Sequence, residues 1–457
     1  MQYYSTKNRD LRVGLKEAIL KGLAPDGGLF MPVHIPVISR SELESMKGKS
    51  LTEISLMLSG RLFGDEVPED ELEKIVREAI NFDTPLVQLE ERLYALELFH
   101  GPTLAFKDVG ARFQARLLGY YTRETSNDIH VLVATSGDTG SAVANGFLGV
   151  PGVKVHVLYP SGLVSPLQEK QFTTLGQNIS ALEVQGTFDD CQRLVKEAFM
   201  DQELAEIMTL TSANSINLAR FLPQAFYYFR AWSQLEEETP RTLQDSETTR
   251  ANVSARSGAA SPLFFSVPSG NYGNMTAGIV AREMGLPVHT FLSANNLNDV
   301  VPGYLLTGKY KPRPSTPTIA NAMDVGDPSN FDRILDLFDH RHAWIASHMH
   351  GYSYSDPQIR EIIGRVYRET GYLCDPHGAT GYQAAKSYLE ENPEYTGVFL
   401  ETAHPAKFLE SVEEVLGTQV EIPERLARFA GREKQSVLLE SDYAAFRSYL
   451  VSRERNP

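Results

Sequence analysis

Residues 131–147 read VLVATSGDTGSAVANGF, and residues 263–284 read LFFSVPSGNYGNMTAGIVAREM. Each stretch begins with a short run of β-branched and apolar residues, continues with small and polar residues, and ends in a helical pattern. This order of strand, loop and helix is typical of an open, mostly parallel α/β sheet. In such sheets, ligands bind at the carboxyl ends of the strands. The two stretches therefore predict two α/β halves, each with a candidate ligand-binding loop.

Similar strand-like runs recur along the chain, at residues 128–135, 153–159, 288–293 and 397–403. Toward the N-terminus, residues 11–23 and 39–80 place apolar residues at helical spacing, which predicts amphipathic helices. A length of 457 residues is too long for one compact core. The predicted division is a helical N-terminal unit at 1–95, an α/β domain at 96–235, a polar linker or insertion at 236–261, and a second α/β domain at 262–457.

The composition excludes several functional classes. A net charge of −15 would repel the phosphates of a nucleic acid, so nucleic acid is not an expected partner. No run of about 18 uncharged apolar residues and no apolar signal segment is found, so no membrane association is expected. The two cysteines, Cys191 and Cys374, are far apart, which favours a reducing cytoplasm over a disulfide framework.

The segment at 97–118, ELFHGPTLAFKDVGARFQARLL, places a lysine at the start of a predicted helix. Lys107 follows Ala105 and Phe106, and such neighbours can desolvate an amine, lower its pKa and make it a better nucleophile. From this segment alone, a surface lysine at the start of a helix is a better interpretation than a reactive lysine, because lysines are common. Asp108 is typical of an acidic residue in a first helical turn.

The loop TSGDTG at 135–140 joins a predicted strand to a predicted helix. Glycines let the backbone approach a ligand, and hydroxyls and a helix start offer donors to an anion such as a substrate carboxylate. The alternative is an ordinary turn with a capping hydroxyl, but the run of small and hydroxylated residues favours the ligand site. Asp138 is expected to orient a hydroxyl or to face a cation. The candidate substrate ligands are Thr135, Ser136, Gly137 and Thr139.

A second loop, SGNYGN at 269–274, repeats this arrangement and predicts a phosphate cradle made of backbone amides. It lacks the Gly-Lys-Ser/Thr of a P-loop and the GxGxxG of a dinucleotide fold. Thr402 ends a predicted strand before a proline and a helix, so its hydroxyl could meet a ligand in the same crevice. A role as a strand-end or capping residue fits Thr402 equally well.

Patterns of other catalytic classes are absent from the sequence. No HExxH and no CxxC pair signals zinc, and no metal is expected. His340, His342, His348 and His350 lie in a polar stretch, where solvated or capping roles are expected. No GxSxG is present, which argues against an α/β-hydrolase.

Nine strings, in their order along the chain, resemble the threonine synthase family of the longer, bacterial and fungal type. Each string is weak alone, but the ordered set is specific and covers nearly the whole chain. The strings are YYST at 3–6, GLAPDGGLFMP at 22–32, FHGPTLAFKD at 99–108, TSGDTGSA at 135–142, SPLQEKQ at 165–171, PSGNYGN at 268–274, NAMDVGDPSNF at 321–331, DPHGATGY at 375–382 and ETAHPAKF at 401–408. The resemblance implies an α/β, fold-type II pyridoxal 5'-phosphate (PLP) enzyme, similar to the tryptophan synthase β chain, with two open, mostly parallel α/β domains.

The resemblance also implies a reaction, the conversion of O-phospho-L-homoserine and water to L-threonine and phosphate. Lys107 matches the lysine that carries PLP covalently, and Thr402 matches the hydroxyl residue facing the pyridine nitrogen. The loop from Ser136 to Thr139 matches the binder of the substrate carboxylate and of the cofactor's ring oxygen, with Asp138 as a cofactor contact. The PLP phosphate loop is matched by Ser269, Gly270, Asn271, Tyr272, Gly273 and Asn274.

A departing phosphate needs cationic or donor groups to hold its charge. Arg220 is the first candidate, because it follows Ser and Asn residues and an arginine can bind two phosphate oxygens. Each candidate could equally be a member of a surface ion pair. The candidates from polar segments are Arg112, Lys170, Asn214, Asn217 and Arg220.

Two alternatives stay open at this point. A serine or threonine dehydratase, or a cysteine synthase relative, would share the lysine and both loops but would need no pocket for a substrate phosphate. A catalytically inactive homologue that binds a phosphoamino acid is the other alternative, although Lys107 and Thr402 speak against it. Gly378 stands where this family often has a larger residue, which leaves the role of His377 open.

Overall fold

The computed structural model describes residues 1–123, 127–238 and 261–455. The strands are β1 Tyr3–Ser5, β2 Asn8–Val13, β3 Phe30–Pro32, β4 Leu86–Glu90, β5 Leu93–Glu97, β6 Ile129–Ala134, β7 Val153–Pro160, β8 Ile179–Gln185, β9 Thr209–Ser212, β10 Leu263–Pro268, β11 Val288–Asn295, β12 Met349–Ser353, β13 Thr396–Glu401 and β14 Val437–Glu440.

The helices are α1 Leu15–Lys21, α2 Arg40–Ser45, α3 Leu51–Phe63, α4 Glu69–Ala79, α5 Lys107–Thr122, α6 Asp138–Phe147, α7 Pro166–Thr173, α8 Phe188–Met200, α9 Gln202–Ile207, α10 Leu218–Phe221, α11 Ala225–Glu238, α12 Gly273–Glu283, α13 Val300–Thr307, α14 Phe331–Leu337, α15 His342–His348, α16 Asp356–Thr370, α17 Pro376–Glu391, α18 Leu409–Leu416, α19 Glu424–Ala430 and α20 Tyr443–Arg455. Short 3-10 turns cover Leu222–Gln224, Asn321–Met323 and Pro405–Phe408. Within the described ranges, no helix is both long and apolar enough to cross a membrane.

The first α/β half is built on a five-stranded sheet with the order β14-β8-β7-β6-β9, parallel throughout. Successive residues of β6 point into different apolar clusters: Val131 and Val133 belong to one, Leu132 and Ala134 to another. Because both faces of the sheet are covered, the strand reads as a continuous apolar run. The predicted strands at 128–135 and 153–159 are confirmed as β6 and β7.

The second half is built on a six-stranded sheet with the order β12-β11-β10-β13-β5-β4, parallel except for the antiparallel edge strand β4. Phe264 and Phe265 point to opposite faces of β10 and join different clusters. The strands expected at 288–293 and 397–403 are found here as β11 and β13. Both large sheets are thus covered on both faces, which is the layered arrangement of α/β proteins.

Strand pairing corrects the expected domain boundaries in two places. Strands β4 and β5, at residues 86–97, pair with each other and with β13, so they belong to the second half and not to an N-terminal unit ending at 95. Strand β14 returns to the first half and pairs with β8, so the segment 262–457 does not form one unit. Pairing depends on long-range register, which local sequence patterns do not contain.

The N-terminal unit is not purely helical. A three-stranded antiparallel sheet with the order β2-β1-β3 precedes and interrupts its helices. The helix expected at 11–23 starts only at Leu15, because residues 8–13 form β2, whose side chains are mostly exposed. The helical interpretation of 39–80 is confirmed by α2, α3 and α4, and two of these begin with a capping box at Ser39 and Ser50.

The predicted polar segment 236–261 lies mostly outside the described residues. Helix α11 extends to Glu238, three residues into that segment, so its predicted start is too early. Glu236 pairs with Lys47 of the N-terminal unit at 3.0 Å, which explains why the helix continues into a polar stretch.

Arg333, on α14, is fully buried and ties three parts of the chain together. Its guanidinium donates to the carbonyl oxygens of Phe30 at 3.1 Å, Ser215 at 3.0 Å and Ile216 at 2.7 Å. Burial lowers the pKa of Arg333 to about 9, so holding its charge inside the protein is costly. The planar fork of an arginine can serve several carbonyls at once, which a lysine cannot do.

We expect Arg333→Lys to lower the free energy of unfolding by about 2–4 kcal/mol, because at least one buried carbonyl loses its donor. Urea denaturation measures the change. The matched control is Arg77→Lys, at an exposed residue that forms an i,i+4 pair with Glu73. An Arg333→Lys midpoint no lower than that of the control would contradict the bracing role.

Candidate active site

A cavity opens where the carboxyl ends of β6, β10 and β13 meet, and Ala134, Pro268 and Thr402 mark those ends on its wall. This is the location expected for a ligand site in parallel sheets. Of the residues singled out in the sequence, the cavity is lined by Lys107, Thr135, Ser136, Thr139, Asn214, Arg220, Gly270, Asn271, Tyr272, Gly273, Asn274 and Thr402. Residues from five distant segments are therefore brought together in one place.

Lys107 is the first residue of α5, and its side chain is half-buried at the cavity wall. Burial lowers the pKa of its amine to about 8. The charge of Asp138 opposes this shift, whereas Lys407 and Arg220 add to it. A lysine whose pKa lies this low has a much larger neutral fraction near pH 7 than an exposed lysine, so it is a better nucleophile and base.

The backbone around Lys107 is fastened to the end of β13. The N–H of Phe106 donates to the carbonyl of Thr402 at 2.8 Å, and Ala105 forms an isolated antiparallel bridge with Ala403. The carbonyl of Lys107 accepts a hydrogen bond from Arg220 at 3.0 Å. These contacts fix Lys107 and Thr402 as neighbours on the wall, although they are 295 residues apart in the sequence.

The side chain of Thr135 fixes the shape of the loop before α6. Its hydroxyl oxygen accepts hydrogen bonds from the N–H groups of Gly137 at 2.9 Å and Gly140 at 2.8 Å. Gly137 has a φ of 144°, which side chains rarely allow, and an added Cβ would lie 2.7 Å from the Gln168 side chain. Ser136 and Thr139 are left on the cavity wall, at the start of a helix whose first N–H groups favour an anion.

Asp138 faces a cation, as one of its two expected roles requires. Its Oδ1 lies 2.5 Å from the Nζ of Lys407 and accepts a hydrogen bond from Gln168 at 2.8 Å. Both members of the ion pair are almost completely buried, and Asp138 does not line the cavity. Burial alone would raise the pKa of Asp138, but the charges of Lys407 and Lys107 outweigh it and hold the pKa well below its usual range.

The glycines of the second loop are explained by contacts within the protein. A Cβ at Gly270 would lie 2.5 Å from the carbonyl oxygen of Ala322, and a Cβ at Gly273 would lie 2.9 Å from the Cβ of Ser215. The loop is therefore packed closely by its own neighbours, whatever it binds. Tyr272 takes up a left-handed conformation, with a φ of 60°, just before α12 begins.

The polar side chains of the same loop are also used internally. Asn271 donates to the hydroxyl of Ser215 at 2.8 Å and accepts from the N–H of Ser329 at 2.7 Å. Asn274 donates to the carbonyl of Pro268, and Ser269, which does not line the cavity, donates to that of Val267. The loop thus offers a ligand mainly its backbone N–H groups and the start of α12.

Arg220 is the cationic residue whose contacts leave donors for a ligand. It is 3% exposed and lines the cavity, and one terminal nitrogen donates to Lys107. Its Nε is buried and has no hydrogen-bond partner in the described part of the chain. Burial lowers the pKa of Arg220 to about 10, so the guanidinium remains charged at neutral pH. A buried donor without a partner is costly unless a ligand satisfies it.

Comparison with known proteins identifies the family. The profile of the pyridoxal-phosphate dependent enzyme family matches residues 78–400, and profiles of the threonine synthase N terminus and C-terminal match residues 2–80 and 378–450. A threonine synthase of Escherichia coli (strain K12) is 42% identical over 454 residues, covering 99% of this chain and 100% of the relative. The chain belongs to the threonine synthase family.

Solved structures of threonine synthases agree with this. The crystal structure of the Escherichia coli threonine synthase matches with a TM-score of 0.89 at 41% identity, over 99% of this chain and 100% of the other. A PLP-bound threonine synthase from Brucella melitensis matches with a TM-score of 0.89 at 33% identity, over 100% of both chains. The expected fold-type II class and PLP dependence are confirmed by the family.

Four expected substrate ligands do not line the cavity: Gly137, and three residues whose side-chain donors are used elsewhere. Arg112 donates to the carbonyls of Glu78 and Ala79, Lys170 to that of Ala430, and Asn217 to those of Ile19 and Ser212. In this structure these three side chains connect elements of the fold and do not lie on the cavity wall. Asn214 does line the cavity, but its amide donates to Ala134.

The cavity wall includes residues that the sequence analysis did not assign to the site. Asp324 lies there, and burial raises its pKa to about 7 even though Thr318, Asn296 and Asn298 donate to it. His377, whose role the sequence left open, lines the wall as well. Both fall in strings of the threonine synthase pattern, at 321–331 and 375–382, so their position in those strings was the available signal.

We expect Asp138→Asn to lower the free energy of unfolding by about 3–5 kcal/mol at pH 7, because Lys407 would stay buried without a countercharge. A carboxyl group whose pKa is lowered by folding stabilises the protein fully above its unfolded pKa, about 3.9, and loses that contribution as the pH falls below it. Wild type should therefore lose more stability than Asp138→Asn between pH 5 and about pH 3, as measured by urea denaturation. Parallel pH curves would contradict this account of the ion pair.

Proposed function

We propose that this chain converts O-phospho-L-homoserine and water to L-threonine and phosphate, with PLP carried covalently on Lys107. The observation that supports this most is the convergence of five features on one cavity. They are the low-pKa amine of Lys107, the anion-binding starts of α6 and α12, the Thr402 hydroxyl and the buried guanidinium of Arg220.

The groups around the cavity fit PLP. Lys107 offers an amine, Thr402 offers a hydroxyl for the ring nitrogen, and the loop at 270–273 offers N–H groups for a phosphate. The loop is already shaped by its contacts with Ala322 and Ser215, so binding a phosphate would require little rearrangement.

Lys107 is the base in the proposed reaction. Bound PLP supplies an electron sink that makes the α-proton of the amino-acid substrate acidic. The Nζ of Lys107, with a pKa of about 8, takes that proton and can return one to the substrate. Burial lowers the pKa of this amine, the charge of Asp138 opposes that shift, and the charges of Lys407 and Arg220 add to it.

Ser136 and Thr139 are proposed to bind the substrate carboxylate. Their hydroxyls lie on the cavity wall at the first turn of α6, where the helix end favours negative charge. Thr135 contributes indirectly, because its hydroxyl oxygen is already used to shape the turn.

Arg220 is proposed to hold the phosphate that leaves the substrate. Its unpartnered Nε and its position on the wall beside Lys107 suit an anion in the same cavity. A serine or threonine dehydratase would have no use for this cation, so the behaviour of Arg220 distinguishes the two activities.

The test of cofactor attachment is Lys107→Ala. We expect the wild-type protein to be yellow with PLP and borohydride to fix a pyridoxyl group on the peptide containing Lys107. The variant should lose nearly all release of phosphate and threonine from O-phospho-L-homoserine, because the base is gone. The matched control is Lys170→Ala, outside the cavity. A variant that turns over at the control's rate would overturn the assignment.

The test of substrate choice is Arg220→Ala, assayed on O-phospho-L-homoserine and on serine. We expect the variant to lose about 2–4 kcal/mol of transition-state stabilisation on the phosphorylated substrate only, the scale of removing a charged donor from a desolvated site. Equal loss on both substrates would mean that Arg220 serves the cofactor or the fold through its bond to Lys107.

A further inference from the structure

The space that a side chain at position 378 would need is filled by the carboxyl group of Glu401, beside the cavity. A Cβ built on Gly378 would lie 1.6 Å from the Oε2 of Glu401 and 2.4 Å from its Cδ. Glu401 is the last residue of β13, is fully buried, and directly precedes Thr402. Any side chain at position 378 would displace this carboxyl group, so Glu401 in this position requires a glycine at 378.

The carboxyl group of Glu401 is adjacent to a second buried carboxyl group, that of Asp375. The N–H of Asp375 donates to the Oε1 of Glu401 at 2.6 Å, whereas the Oε2 has no donor in the described part of the chain. Asp375 is much better supplied. Its Oδ1 accepts from the N–H of His377 at 2.7 Å and lies 2.5 Å from the ring Nδ1, and its Oδ2 accepts from the N–H of Ala403 at 3.2 Å.

Two adjacent carboxyl groups in a dry interior do not both ionise, so one of them holds a proton. The negative charge belongs on Asp375, which has three donors and caps the N-terminus of α17. The proton therefore belongs on Glu401. A protonated Glu401 has a hydrogen to donate, and the neighbouring Asp375 carboxylate can accept it.

We propose that Glu401 is a neutral, protonated residue that positions the Asp375–His377 pair at the wall of the cofactor cavity. Position 378 is a glycine because a side chain there would displace Glu401. The other titratable groups that face Glu401 are Glu97 on β5, and Tyr372 and Cys374 in the segment before α17. Together with Asp375 they bring no positive charge to it. Burial, followed by the charge of Asp375, accordingly raises the pKa of Glu401 well above its ordinary value.

The effect reaches the cofactor loop through His377. Because its Nδ1–H donates to Asp375, its Nε2 is free to accept, and it does so from the N–H of Ala322 at 3.2 Å. The Ala322 carbonyl in turn packs against Gly270 of the proposed phosphate loop. A loss of the Glu401 proton would place a second negative charge beside Asp375 and loosen this series of contacts.

The first test measures the proton and needs no turnover, so it can fail independently of the proposed reaction. A carboxyl group whose pKa is raised by folding destabilises the folded state as the pH rises above its unfolded pKa, about 4.3. Glu401→Gln keeps the neutral donor and cannot titrate. In urea denaturation of the PLP-loaded proteins, we expect the unfolding constant of wild type, relative to Glu401→Gln, to rise about tenfold per pH unit above about pH 5. A ratio that stays constant with pH overturns the proposal.

The second test, which rests on the proposed function, measures cofactor retention in Glu401→Ala and Glu401→Gln. We expect Glu401→Ala to release PLP about tenfold more readily on dilution, because Asp375 loses a donor, and Glu401→Gln to restore retention. Retention unaffected in both variants, or lost equally in both, contradicts a donor role for Glu401.

The third test is a cycle between positions 378 and 401 that covers the case in which a single variant folds poorly. Gly378→Ala should be strongly destabilising in wild type and tolerated in the Glu401→Gly background, where the space is empty. Melting temperatures of the four proteins measure the coupling. If Gly378→Ala lowered the melting temperature equally in both backgrounds, Glu401 would not be the reason why position 378 is a glycine.

Discussion

The buried ion pair between Asp138 and Lys407 is the interaction on which the cavity depends. Asp138 opens α6 in the five-stranded half, Lys407 follows β13 of the six-stranded half, and the same lysine donates to the carbonyl of Thr103, four residues before Lys107. One amine therefore joins three segments that approach the cavity from different directions. Because a buried charge without its partner is costly, this ion pair favours assembly of the loop at 135–140 together with the segment that carries Lys107.

The site is built mostly from polar groups that bind the protein itself. Thr135 shapes the turn before α6, Asn271 and Asn274 brace the second loop, and Arg333 fixes the backbone of Ser215 behind it. What remains for a ligand is a small number of groups: the Lys107 amine, the Ser136, Thr139 and Thr402 hydroxyls, the Arg220 guanidinium and backbone N–H groups. Such a site is organised before the ligand arrives, which is what stabilisation of charge in a transition state requires.

Much of the fold and of the site was predictable, because short buried strands and the loops that follow them have recognisable local sequence patterns. The apolar runs of β6, β7, β10, β11 and β13 were recognisable, since both faces of each sheet are covered. Lys107, the two loops and Thr402 follow from strings that resemble one family, and 12 of the residues singled out line a single cavity. The sequence did not predict where Arg112, Lys170 and Asn217 lie. A polar side chain can donate to any backbone carbonyl that packing brings close, and packing is not visible in a local pattern.

The sequence by itself determined the alternation of strands and helices, the family and the lysine that opens α5. Only the tertiary structure decided which sheet receives the hairpin at 86–97 and the strand β14, because pairing is a long-range choice of register. The tertiary structure also decided that Asp138 forms an ion pair with Lys407 and that Glu401 packs against Gly378. A local pattern records the chemistry that a residue carries, but burial and proximity, which set its charge state, exist only when distant segments are packed together.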